Sequence, residues 1–160
     1  MEEELDKLKE TLGICELHYK RMIFAWENIE KYFPLNEEAF GAIDPFQMAL
    51  FDQFIYRFSK LQYSMGKRLF RQILDLLQEE TEGLPFIDIL NKLEKLHLID
   101  DAKTWIALRH TRNAISHEYP LFREIQIQEL NQLPQQVQKL VGIWLQQSKY
   151  CHTKFSARHI

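Results

Sequence analysis

Arg109-His110-Thr111-Arg112-Asn113-Ala114-Ile115-Ser116-His117-Glu118-Tyr119-Pro120 is the densest concentration of proton-moving and phosphate-binding side chains in the chain. Within it Arg112, His117 and Tyr119 follow one another as R-x4-H-x-Y. A histidine titrates near neutral pH, with an unperturbed pKa of about 6.5, and so can take or give a proton at a ribose or leaving-group oxygen. An arginine stays charged, and its planar fork matches the oxygens of a phosphate. Together they suit metal-free cleavage of an RNA phosphodiester, with Asn113 positioned to orient either group or the substrate.

The elements that must carry these residues are helical. Apolar residues recur with the 3.6-residue period, and strand patterns are almost absent. A first helix is predicted from Glu3 to Tyr32, ended by Phe33-Pro34, with Leu5, Leu8, Cys15, Met22, Trp26 and Ile29 on its inner stripe. A connection follows from Asn36 to Ile43. Asp44-Pro45 then restarts the chain, Asp as cap and Pro in the first turn. The second helix extends to about Glu80 with Gly83 as its stop, and a shorter third starts at Pro85 with Ile87, Leu90, Leu93 and Leu96 inward. Asp100 is expected to cap a fourth helix running through Trp105 and Leu108 to Ser116–Glu118, because a residue before proline disfavours helical dihedrals. A last helix spans Ile127 to Ser148, with Pro134 as kink or true start. The expectation is an all-α single bundle of about five helices over residues 1–148, followed by a basic, flexible tail over 149–160.

On a regular helix Arg112 falls between Trp105 and Leu108 on the apolar face, so it needs an anion or a carboxylate. Asp52 or Asp75 of the second helix would satisfy it as a structural ion pair. His117 lies about 140° round from Arg112 and does not share its direction. The two converge if the helix loosens before Pro120, or if a symmetric homodimer brings two copies of the segment into one cleft.

The segment Arg112-Asn113-Ala114-Ile115-Ser116-His117-Glu118-Tyr119-Pro120 resembles the signature of the HEPN superfamily, and more narrowly the HepT-like toxins of bacterial toxin–antitoxin pairs. Arg57–Gln62, Gly66–Phe70 and Phe86–Leu93 fit the same likeness, which covers Asp52 to Pro120. The resemblance implies a homodimeric, metal-independent endoribonuclease with Arg112 and His117 as its active pair. Asn113 and Tyr119 would contact substrate. It also implies a minimal nucleotidyltransferase antitoxin on a separate chain, which can modify Tyr119 by AMPylation and so place charge and bulk beside a phosphate site. The alternative is a non-catalytic nucleotide- or substrate-binding partner of such a nucleotidyltransferase.

Composition sets outer bounds. The 160 residues are 46% hydrophobic with five Gly and five Pro, enough for one ordinary core and unlike a disordered chain. Net charge is −3, which argues against indiscriminate nucleic-acid binding. Residues 101–160 nevertheless carry eight Lys and Arg against four Asp and Glu, and no acid follows Glu129. Cys15 and Cys151 form no C-x-x-C pair, His110, His152 and Cys151 lack metal-ligand spacing, and no cofactor fingerprint is present; neither a metal nor a cofactor is expected. The acidic Met1–Glu4 start and the absence of a long apolar run lead to the expectation of a soluble cytoplasmic protein with no membrane partner. The row Arg57, Lys60, Lys67, Arg68 and Arg71 can extend an RNA track with Tyr56 or Tyr63 stacking on bases. Because Asp75, Glu79 and Glu80 follow closely, it reads first as a solvated face.

Overall fold

At Asp44-Pro45 the helix begins as expected. In the computed structural model, which describes residues 1–116 and 123–155 without the side chain of Arg123, Asp44 accepts a hydrogen bond from the Gln47 N–H at 2.8 Å. Pro45 occupies the first turn of the helix it opens. The elements are α1 (Glu2–Ile29), α2 (Glu37–Gly41), α3 (Pro45–Ser64), a π-helical turn (Met65–Leu69), α4 (Phe70–Leu76), α5 (Phe86–Lys95), α6 (Ala102–Ser116), α7 (Arg123–Leu130) and α8 (Leu133–Lys154). Among the described residues there is no strand, so the class is all-α.

Several boundaries differ from the expectation, each for a local reason. The 36–43 connection contains the short α2, because Asn36 caps it by accepting from the Ala39 N–H at 2.7 Å. The long second helix ends at Leu76, before Glu80: Gln78 takes a left-handed conformation, and the Glu79 N–H reaches back to Leu74 O. α5 ends the same way at Lys95, with His97 left-handed and the Leu98 N–H on Leu93 O. A glutamine and a histidine thus do what glycine usually does. Asp101, not Asp100, caps α6, accepting from the Thr104 N–H at 2.7 Å and its hydroxyl at 2.9 Å. The last predicted helix is two, α7 and α8, with Pro134 marking the start of the second.

The core forms where α1 lies along α3, while α6 is packed against α3, α5, α7 and α8. Phe51, Phe54, Phe58, Leu61, Met65 and Leu69 carry the apolar stripe of α3 through the π turn, facing Cys15, Met22 and Ile29 of α1. On α5 the inward residues are Ile89, Leu90 and Leu93, whereas Ile87 and Leu96, expected inward, are exposed. The flexible tail also needs correcting up to residue 155. α8 runs on to Lys154, Cys151 and Phe155 are buried, and Tyr150 meets Phe155 edge to face. Both cysteines are free, and burial pushes each thiol up to about 12. Among the described residues no helix is long and apolar enough to cross a membrane.

Candidate functional site, a cationic cleft beside the motif helix

The π turn creates the space in which the site forms. The Phe70 N–H reaches back five residues to Met65 O, a bulge that re-aims the residues on either side of it. Gly66 lies inside this turn. A Cβ there would stand 3.4 Å from Trp105 Cζ2 and 3.5 Å from Phe86 Cζ, so the missing side chain lets two rings from α6 and α5 close on α3. Phe70 completes the junction, meeting Trp105 edge to face at 4.7 Å and stacking on Phe86 at 6.4 Å.

Beside this junction a cleft of about 430 Å³ opens, walled by Phe86, Trp105 and Tyr63. That size falls within the range of about 300–1,000 Å³ common to small-molecule sites. Its charged lining is Lys67, Arg71, Arg109 and Arg112, with no carboxylate among the described residues. Arg109 stands over the Phe86 ring at 5.5 Å. Arg71 has a separate task. It donates to Thr81 O and Leu84 O, both at 3.1 Å, and so fixes the loop that delivers Phe86 to the wall.

Trp105, Leu108, Thr111 and Ile115 form the buried stripe of α6, and Arg112 is half-buried at its margin. Burial, and then the charge of Arg109, hold its pKa below the ordinary arginine value. Its hydrogen bonds go to the side-chain oxygen of its neighbour Asn113, at 3.3 and 3.4 Å. Neither Asp52 nor Asp75 pairs with it: the described residues give Arg112 no salt bridge, and Asp75 accepts instead from the Thr81 hydroxyl. The ion-pair explanation drawn from sequence therefore finds no partner among the described residues. Two adjacent guanidinium groups without a carboxylate favour an anion from outside.

α6 is described as far as Ser116. The Ser116 hydroxyl donates to Arg112 O at 2.7 Å and lies 3.5 Å from the Ser59 hydroxyl of α3. His117 and Tyr119 come next and lie outside the described residues. The structure therefore brings together Arg112, Asn113 and Ser116, and adds Lys67, Arg109, Phe86 and Gln62, none of which the motif alone indicates. The basic row of the second helix does not stay one face. Lys67 and Arg71 turn to the cleft, whereas Arg57 donates to His18 Nδ1 at 2.9 Å on the α1 side. Among the described residues no group of three or more His, Cys, Asp and Glu is placed to hold a metal ion. Comparison with protein-family models, curated proteins and solved structures finds no match to this chain.

Proposed function

We propose that this chain is a HEPN-type, metal-independent endoribonuclease, the toxin half of a toxin–antitoxin pair that works as a homodimer in the cytoplasm. The observation that carries the reading is Arg112, half-buried, without a carboxylate partner among the described residues, and set in a cationic cleft, five residues before His117 in the sequence. In the proposed reaction His117 takes the proton of a ribose 2′-hydroxyl or supplies one to the departing 5′-oxygen. Arg112 meets the charge that grows on the phosphoryl oxygens. Asn113 holds the guanidinium in orientation, a role consistent with its bond to Arg112. Tyr119 contacts substrate and is the residue a nucleotidyltransferase antitoxin modifies. Two copies of the α6 end, related by a two-fold axis, give each scissile phosphate access to an arginine and a histidine.

The test is cleavage of cellular RNA in excess chelator by the wild type and by His117→Ala, each confirmed dimeric and folded by sedimentation and melting. Cleavage that survives chelation and disappears in the variant supports the mechanism. An inactive wild-type dimer, equal cutting by the variant, or a monomer at micromolar concentration defeats it. The nucleotide-sized, aromatic-walled cleft favours a second reading, a non-catalytic binding partner of a nucleotidyltransferase. That reading expects tight association with the partner, unchanged in His117→Ala.

A further inference from the structure

The floor of the cleft contains Gln62, which is 1% exposed. Gln47, Gln72, Gln136 and Gln147 each leave one buried side-chain oxygen without a hydrogen bond, but Gln62 leaves both its oxygen and its nitrogen so. An amide with neither atom satisfied is costly, and at the floor of a cleft it marks a place where a ligand completes the bonding. A carboxamide presents a donor beside an acceptor, the pattern on a nucleobase edge. Its terminal torsion is soft, so a small rotation turns the amide towards a base seated above it. Phe86, Trp105 and Tyr63 supply aromatic surface for that base, and Lys67, Arg109 and Arg112 supply cations for its phosphate.

The cleft also continues into a ridge. Tyr56, Lys60, Tyr63 and Lys67 recur at helical spacing along α3 and its π turn. Tyr56 and Tyr63 are 50% and 49% exposed, with the Lys60 ammonium 5.7 and 5.8 Å from their rings. Tyr63 and Lys67 belong to both ridge and cleft, while Tyr56 and Ser59 share a surface hollow with Ser116 at the other end. Alternating aromatic rings and cations over such a length suit a polyanion with stackable bases better than a free mononucleotide.

We infer that the cleft seats one nucleotide of single-stranded RNA, its base edge on Gln62 and its phosphate on Arg109 and Lys67, while the α3 ridge carries the adjoining strand towards the end of α6. This rests on the ribonuclease reading for the choice of RNA, but it assigns a subsite and a base-reading residue outside the R-x4-H-x-Y motif. It makes Gln62 a specificity residue and gives the strand a direction.

The experiment measures fluorescence anisotropy of labelled ten-nucleotide oligo-A, oligo-C and oligo-U, with unlabelled AMP, CMP and UMP as competitors. The parent protein is the His117→Ala dimer, so that binding is read without cutting. It is expected to bind oligomers at least tenfold more tightly than mononucleotides and to discriminate among the three bases. Arg109→Ala with Lys67→Ala should weaken both oligomers and mononucleotides about tenfold or more. Tyr56→Ala with Lys60→Ala should weaken oligomers about tenfold and leave mononucleotides unchanged. Gln62→Met, close in size, should flatten the base preference at a melting temperature that is unchanged or raised. Mononucleotides bound as tightly as oligomers, cleft variants that bind like the parent, or a preference that survives Gln62→Met would overturn the assignment. The two readings fail separately. An uncleaving wild type with this binding pattern sinks the nuclease alone, and a cleaving wild type whose cleft variants bind normally sinks the subsite alone.

Discussion

Two arginines in this molecule face the same difficulty and are treated differently. Arg57 and Arg112 are both half-buried, and neither forms a salt bridge among the described residues. Arg57 has a partial internal solution, with its Nε buried and without a hydrogen bond among the described residues. It donates to His18 Nδ1 at 2.9 Å, a base that can stay neutral, and lies 5.1 Å from the Tyr56 ring. Among the described residues Arg112 is set beside a second guanidinium, with only the flank of Asn113 as acceptor, and opens on a cleft without carboxylates. The first arginine is spent on the fold. The second is left available for an anion.

The largest expected effect tests that contrast directly. Arg112→Met keeps an unbranched apolar stem and removes the charge. RNA cleavage should fall about 10²- to 10³-fold, the usual cost of losing one donor to a transition-state oxyanion. Stability should hold or rise, because a desolvated charge without a partner is removed. Arg57→Met should do the reverse, leaving cleavage within about twofold while unfolding free energy drops by about 1 kcal/mol with the lost hydrogen bond. Chemical denaturation and RNA digestion on the same two proteins decide it. If both lose stability and neither loses activity, the distinction between a structural and a reserved arginine is wrong.

A second cleft, on the other face of α6, sharpens the point. At about 550 Å³ it is larger, and it contains Lys103 and His110, but Glu129, Gln132 and Gln136 line it as well, and among the described residues no Phe, Tyr or Trp does. Size and nearby positive charge are therefore not what distinguishes the cleft beside Arg112. The absence of a carboxylate among the described residues and the presence of Phe, Tyr and Trp ring faces are. Arg109→Glu should weaken binding of an oligoribonucleotide by at least tenfold, since it places an acid inside the phosphate cradle. Lys103→Glu, an equal change of charge on the opposite face, should alter it less than threefold. Titrations at two salt concentrations separate the local effect from net charge, which the two variants share.

Sequence patterns reach different depths in these two regions. The apolar stripe of α6 and the marginal place of Arg112 follow from residue spacing, because a helix converts sequence separation directly into angle. The Asp44-Pro45 start is legible for the same local reason. Left-handed residues at Gln78 and His97 are not, since neither side chain announces that conformation. The cleft is less legible still. It depends on a π turn that no periodicity reveals and on Gly66 admitting rings from two other helices, both consequences of tertiary packing. The basic row on α3 reads as one solvated face only if the helix is regular, and the π turn divides it. Gln62 gives no signal in sequence; an unsatisfied amide is recognisable only once its surroundings are known.

The smallest effect concerns the histidine that makes Arg57 structural. His18 is held below the ordinary histidine pKa by burial, then by Arg57, with Lys60 of α3 and Arg21 of its own helix adding to the repulsion. The Arg57 bond requires an unprotonated Nδ1. Above the unfolded value of about 6.5 the ring is neutral in both states and contributes no pH dependence. As pH falls through that value the unfolded chain takes up a proton that the folded chain resists, so stability is lost until the lower folded pKa is passed. Melting temperature should therefore decline more steeply between pH 7 and 5 in the wild type than in His18→Gln, which keeps an acceptor for Arg57 but cannot titrate. Arg112→Met should leave that difference intact, because the cleft cations are not among the groups that depress His18. Equal slopes in the wild type and His18→Gln would show that Arg57 does not depend on a neutral histidine, and the comparison of the two arginines would lose its structural half.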